Sequence, residues 1–173
     1  MFCFARQDVR VHASGEAQAM KPPVICIVGK NKTEKTQLME ALIKELKSRG
    51  LRVGALKHHK HGDFEIDIEG KDTWKYAKAG ADTLAISSSV KFACIKKVEK
   101  EIGIDETLDA YFSDVDIVLA DGFALSDKPR IIVSDNKEDI GIFKRGCIAI
   151  AVVGKAGFGF DDIKTIADQI IKS

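Results

Sequence analysis

Apolar residues along this chain gather in short stretches, at 24–28, 51–56, 81–87, 90–95, 115–120, 130–134 and 147–153, of which 24–28 and 147–153 are unbroken. A run of four to eight β-branched and apolar residues bounded by polar ones predicts a strand buried on both faces, as in a parallel sheet. Between the runs the spacing changes to that of a helix. Leu38, Leu42, Ile43 and Leu46 lie at i, i+4, i+5 and i+8, one apolar stripe against a Lys/Glu face, which predicts a helix beginning near Lys35 and stopped by Gly50. Further helices are predicted over 72–79, closed by Gly80, over 104–112 with Leu108, Tyr111 and Phe112 on one side, and over 161–172. Asp161 or Asp162 stands near the start of the last, where the helix dipole favours negative charge. Strands alternating with helices predict a three-layer α/β/α domain around a mostly parallel sheet, with right-handed crossovers.

Residues 1–21 carry scattered charge, Gly, Ser and Ala without sustained periodicity, and are expected to be a flexible leader. They contain no apolar segment of the kind that marks a signal peptide. Residues 22–173 are expected to form one domain, since 173 residues at 45% apolar content allow one well-buried core. The formal charge of +1 argues against a general nucleic-acid surface. No run approaches the about 18 apolar residues of a membrane span. Cys3, Cys26, Cys94 and Cys147 are far apart in the sequence, a pattern expected of reduced thiols in the cytoplasm.

Candidate chemistry concentrates at VICIVGKNKTEKTQL, residues 24–38. Gly29, Lys35 and Thr36 match three of the four fixed members of the phosphate-binding loop G-x-x-x-x-G-K-[ST]. In that motif backbone N–H groups close around phosphates, the lysine reaches the terminal phosphates, and the hydroxyl binds Mg²⁺. The second glycine is replaced by Glu34. Its Cβ resists close backbone approach, and its carboxylate repels a polyanion at about 4 Å by several kcal/mol at intermediate dielectric. Lys30 and Lys32 offset part of that repulsion. Reduced nucleotide affinity is therefore expected. The competing reading of Lys35-Thr36 is an ordinary polar helix start.

Asp121 follows Ile117-Val118-Leu119-Ala120, so it stands at a strand end, where the second acid of such sites holds Mg²⁺; the alternative is a turn-forming Asp-Gly pair. Asp116 carries less weight, as an ordinary strand-start residue. Lys57-His58-His59-Lys60-His61 suits an oxyanion better than a metal, because the lysines oppose a cation; a solvated loop is the competing reading. Asn136-Lys137-Glu138-Asp139 matches the N-K-x-D pattern that reads guanine, although a polar loop explains it as well. Gly154, Gly157 and Gly159 lack the dinucleotide-binding spacing and predict a flexible loop near the same sheet edge.

Several blocks occur in one order: the loop 29–36; Arg49-Gly50-Leu51-Arg52-Val53 leading to Lys57-His58; His61-Gly62-Asp63-Phe64-Glu65-Ile66-Asp67; Gly70-Lys71-Asp72-Thr73-Trp74 with Ala79-Gly80-Ala81; and Asp116-Ile117-Val118-Leu119-Ala120-Asp121-Gly122-Phe123. From Val24 onward they resemble the molybdopterin-guanine dinucleotide biosynthesis B proteins, the MobB type of P-loop GTP-binding proteins. The resemblance implies the P-loop nucleoside-triphosphate-hydrolase fold and a homodimeric, Mg²⁺-dependent GTP-binding accessory protein. Such a protein assists the guanylyltransferase that attaches GMP to molybdopterin, and is at most a weak GTPase. Molybdopterin or a molybdoenzyme are further candidate partners. Carried over by position, Gly29, Asn31, Lys32, Thr33, Lys35 and Thr36 would bind GTP, Thr36, Asp67 and Asp121 would hold Mg²⁺, and His58, His61 and Lys71 would line the anion-binding surface. Three residues depart from the family pattern: Glu34, Gln37 where a Thr is frequent, and Ala124 where Lys is usual. A non-catalytic adaptor of the same pathway and a small phosphotransferase are the alternatives.

Overall fold

The computed structural model describes residues 21–30, 32–60, 62, 64–134, 136–151 and 160–173. These gather into two compact units, one of residues 21–62 and 103–173, the other of residues 64–102. The leader and the glycine loop at 154–159 lie outside the described residues.

The larger unit is built on a sheet of five parallel strands, β1 (Val24–Val28), β2 (Val53–Lys57), β5 (Ile117–Asp121), β6 (Arg130–Val133) and β7 (Cys147–Ala151), in the order β2-β5-β1-β6-β7. Helices α1 (Lys32–Ser48), α3 (Ile104–Tyr111), α4 (Lys137–Phe143) and α5 (Phe160–Lys172) belong to the same unit. The apolar runs make sense here, because alternate residues of each strand serve opposite faces. Ile25, Ile27, Leu119, Ile131 and Val133 pack with Leu38, Leu42 and Leu46 of α1 and Ile163, Ile166 and Ile170 of α5. Val24, Cys26, Val28, Val118, Ala120 and Ile132 pack with Leu108 of α3 and with Ile140 and Phe143 of α4. That is the expected three-layer arrangement. At Gly54 a side chain has no room, since a Cβ there would lie 2.5 Å from the Phe112 ring.

Four details differ from expectation. Helix α1 begins at Lys32, a turn before Lys35. Strand β2 occupies 53–57 rather than 51–56, because the backbone N–H of Leu51 is still engaged by the Leu46 carbonyl at the end of α1. Residues 137–139, read as polar loop, open a helix, α4, that runs on to Phe143. Strands β3 (Thr83–Ser87) and β4 (Phe92–Lys96) leave the main sheet and pair antiparallel in a two-stranded ribbon. Only four residues separate the two strands, which suffices for a hairpin and is too short for the crossover that a parallel pair needs. The ribbon and helix α2 (Asp72–Lys78) make up the smaller unit, whose strands are almost wholly exposed.

Candidate functional site

Because the five strands run parallel, their carboxyl ends share one edge, and the chain changes direction there at β1 and β5, neighbours in the sheet. Ligands of open α/β sheets bind at such an edge. Register brings the sequence candidates together. Asp121 is level with Ile27 on one side and with Lys57 on the other. The connections beyond are stitched by backbone bonds, Gly122 N–H donating to the Ile27 carbonyl at 3.0 Å and His58 N–H to the Asp121 carbonyl at 3.0 Å. Gly29 leaves β1 with φ of 153°, and a Cβ on it would stand 2.4 Å from the Val133 carbonyl oxygen. Only glycine fits a backbone passing that close to β6.

From this turn α1 starts at once. Lys35 is buried, and its ammonium donates to the Gly29 carbonyl at 2.7 Å, folding back across the loop. Burial pushes its pKa below the usual lysine value; the Asp121 carboxylate opposes that shift, and the Lys57, Lys60 and Lys32 ammonium groups add to it. Thr36 Oγ1 donates to the Lys32 carbonyl at 3.1 Å, as serine and threonine hydroxyls do inside helices. Glu34 therefore lies in the first turn of the helix and not in an open loop. The reason is local: glutamate is a better helix former than glycine by close to 1 kcal/mol, and a carboxylate in a first turn gains about 0.3–1 kcal/mol from the helix dipole. The substitution that departs from the motif thus extends α1 back toward Gly29.

Asp121, with only 14% of its side chain exposed, holds Lys57 Nζ 2.6 Å from Oδ2. His58 stacks on Phe123 with ring centroids 4.8 Å apart. Phe123 is the one non-glycine residue with positive φ (53°) among the described residues. Gly122 beside it has φ of 106°, and a Cβ there would come within 3.1 Å of the His58 side chain. Strain of this sort, of order 1–3 kcal/mol per residue, persists where surroundings over-determine it and clusters at functional sites.

On the other side of β1, the connection from β6 into α4 meets the loop. Lys30 Nζ lies 2.6 Å from Oδ1 of Asp139, a buried carboxylate. Asn136 caps α4, its side-chain oxygen accepting from Glu138 N–H at 2.9 Å. Arg130, also buried, donates to the Ala124 carbonyl at 2.6 Å and to that of Ser126, pinning the segment that follows β5. Asp116 has a structural part: it accepts from Arg52 N–H at 2.6 Å and pairs with the Arg52 guanidinium, which holds its carboxyl below the usual range.

Gly29, Lys35, Asp121 and the base of His58 are thus brought to one edge, with Lys32, Thr33 and Thr36 exposed on the first turns of α1. Asn31 and His61 lie outside the described residues. Asp67 and Lys71 belong to the smaller unit, where Asp67 Oδ1 accepts from Ile68 N–H at 2.8 Å. Among the described residues no three His, Cys, Asp or Glu side chains form a metal cluster. The pairings of Lys57 with Asp121 and of Lys30 with Asp139 escaped the sequence reading: nothing in spacing says that Lys57 is level with Asp121, or that the N-K-x-D match opens a helix.

The family model for molybdopterin guanine dinucleotide synthesis protein B matches residues 24–154. A molybdopterin-guanine dinucleotide biosynthesis adapter protein of Haemophilus influenzae is 31% identical over 112 residues, 64% of this chain and 62% of that protein. The chain thus spans somewhat under two thirds of that relative. The adapter protein of Escherichia coli is 27% identical over 166 residues, 87% of this chain and 92% of its own. Among solved structures, one described as molybdopterin-guanine biosynthesis protein B superposes with a TM-score of 0.69 at 31% identity, covering 86% of this chain and 97% of that one. Bacillus subtilis MobB superposes with a TM-score of 0.70 at 26% identity, over 87% and 96%.

Proposed function

The chain belongs to the molybdopterin guanine dinucleotide synthesis protein B family, and from that membership we propose that it is a GTP-binding adapter of molybdenum cofactor biosynthesis. In this role it assists the guanylyltransferase that forms molybdopterin guanine dinucleotide, acting in the cytoplasm as a homodimer. The observation that supports nucleotide binding is the junction of Gly29, buried Lys35 and Asp121 at the carboxyl ends of two adjacent parallel strands. A phosphate at the start of α1 would meet the N–H groups of the helix N-terminus, the positive end of the helix dipole, and the ammonium of Lys35.

Within the larger unit the donor set fits Mg²⁺ through one carboxylate and one hydroxyl, Asp121 and Thr36. When bound, Mg²⁺ neutralises phosphate oxygen charge. Both donors are engaged within the chain, Asp121 by Lys57 and Thr36 by its own helix. This favours weak binding and, at most, slow hydrolysis. It also gives substance to a second reading, an adapter that has kept its partner surface and lost nucleotide.

Calorimetric titration of the protein with GTP and Mg²⁺, beside its Glu34→Gly variant, tests the proposal. Saturable binding that tightens in the variant is expected. No heat from either protein at millimolar GTP would remove the nucleotide half, and capture of the guanylyltransferase by such a protein would leave the adapter reading in place.

A further inference from the structure

We propose that Asp139 is a positioning residue of the phosphate loop, acting through Lys30, and that the Asn136–Asp139 segment does not read a guanine base. A base-reading N-K-x-D segment needs its acid free to accept hydrogen bonds from the base. Here the acid is paired with Lys30, and the asparagine oxygen is used as a helix cap. The Asn136 side chain caps α4 by accepting from Glu138 N–H at 2.9 Å, and Asn136 N–H in turn donates to Ser134 Oγ at 3.0 Å. Asp139 is one of four buried polar or charged residues among those described, and it lies in the first turn of α4. Its Oδ1 meets no aligned hydrogen-bond donor, so the 2.6 Å approach of Lys30 Nζ is an ion pair held by charge.

Burying a carboxylate is costly unless a counter-charge is supplied, and among the described residues the cation paired with Asp139 is Lys30 of the phosphate loop itself. The Asp139 contact raises the Lys30 pKa, with Glu138 adding a further negative charge. One residue before Lys30, Gly29 passes so close to the Val133 carbonyl that a Cβ would sit 2.4 Å from it. Two consecutive residues of the loop are therefore fastened to the β6–α4 connection, one by backbone proximity and one by charge. The consequence is that these two residues, already fixed in place, do not have to be ordered when an anion binds.

The nucleotide arm of the test rests on the proposed GTP site, and a second arm does not. Thermal unfolding of Lys30→Met, Asp139→Asn and the double variant, without nucleotide, forms a double-mutant cycle. Each single variant is expected to lower the midpoint and the double variant to lower it no further than the worse single one; additive shifts would overturn the proposal. In the second arm, GTP and xanthosine triphosphate affinities are compared. Asp139→Asn, and Lys30→Met independently, should weaken both nucleotides by about threefold or more while the GTP-to-xanthosine-triphosphate ratio stays within about twofold. A roughly tenfold swing toward the xanthine nucleotide in Asp139→Asn would make Asp139 a base reader and end the proposal. If the wild-type protein binds no GTP, that failure belongs to the proposed function, and the unfolding cycle still decides whether Asp139 holds Lys30.

Discussion

Single residues decide the site, and three are informative for different reasons. Gly29 was legible in the sequence as the break at the end of an apolar run. Its true constraint, the Val133 carbonyl, was not, because that carbonyl belongs to a strand more than a hundred positions away. Gly29→Ala combines that clash with φ of 153°, and should cost about 2 kcal/mol or more on the scale of backbone strain, read as a lower urea midpoint. Glu34 was read correctly as a departure from the motif; its helical placement was not, since the loop pattern was read ahead of the helix propensity of glutamate and its favourable place near the positive end of the helix dipole. Glu34→Gly should raise hydrogen exchange in the first turn of α1, and unchanged exchange would mean that glutamate is not what extends the helix.

Lys35 carries a pH signature. Burial lowers its pKa in the folded state from 10.5, so between that lowered value and 10.5 the unfolded chain binds more protons than the folded one. Stability contributed by this group therefore rises with pH across that window, and the burial penalty is fully present below it. In Lys35→Met the contribution disappears. Denaturant midpoints at about pH 8 and about pH 10 should differ between wild type and variant in that direction, and parallel profiles would show that burial of Lys35 is not the cause.

At the level of elements, the parallel core could be read almost directly, because short apolar runs and a 3.6-residue stripe leave few other arrangements. Leu42 on α1 is fully buried against the sheet, so Leu42→Ala should lose roughly 2–5 kcal/mol by transfer and cavity terms, measured by chemical denaturation. Helix α4 was missed: seven residues starting with Lys-Glu-Asp have too little periodicity to stand out, and tertiary contacts of Ile140 and Phe143 with the sheet secure it. Arg130 was read as a strand residue, yet it acts on the segment that precedes its strand. Its two donated bonds to the Ala124 and Ser126 carbonyls hold the chain that follows Asp121-Gly122. Arg130→Met leaves those carbonyls to find other donors, at about 1–3 kcal/mol for each left buried and unpaired.

For the molecule as a whole, the smaller unit poses the remaining physical problem. A two-stranded ribbon is marginal in water without a third strand or a covering helix, and α2 contributes no buried residue. Ile86, Val90 and Phe92 are 60%, 93% and 53% exposed, with Ile66, Ile68 and Val98 also open to solvent in the same unit. Monomeric proteins rarely leave so much contiguous apolar surface uncovered. That residues 81–87 and 90–95 form strands was legible; the parting of these strands from the main sheet was not, because residue type does not say which strand will be the partner. The homodimer proposed from family membership would resolve the exposure if a second copy of the ribbon covers this one. Analytical ultracentrifugation of the wild type should then give a dimer and of Ile86→Lys/Phe92→Lys a monomer, with the helical circular-dichroism signal retained. A wild type that sediments as a monomer at micromolar concentration would remove the homodimer and leave this apolar face for the partner enzyme.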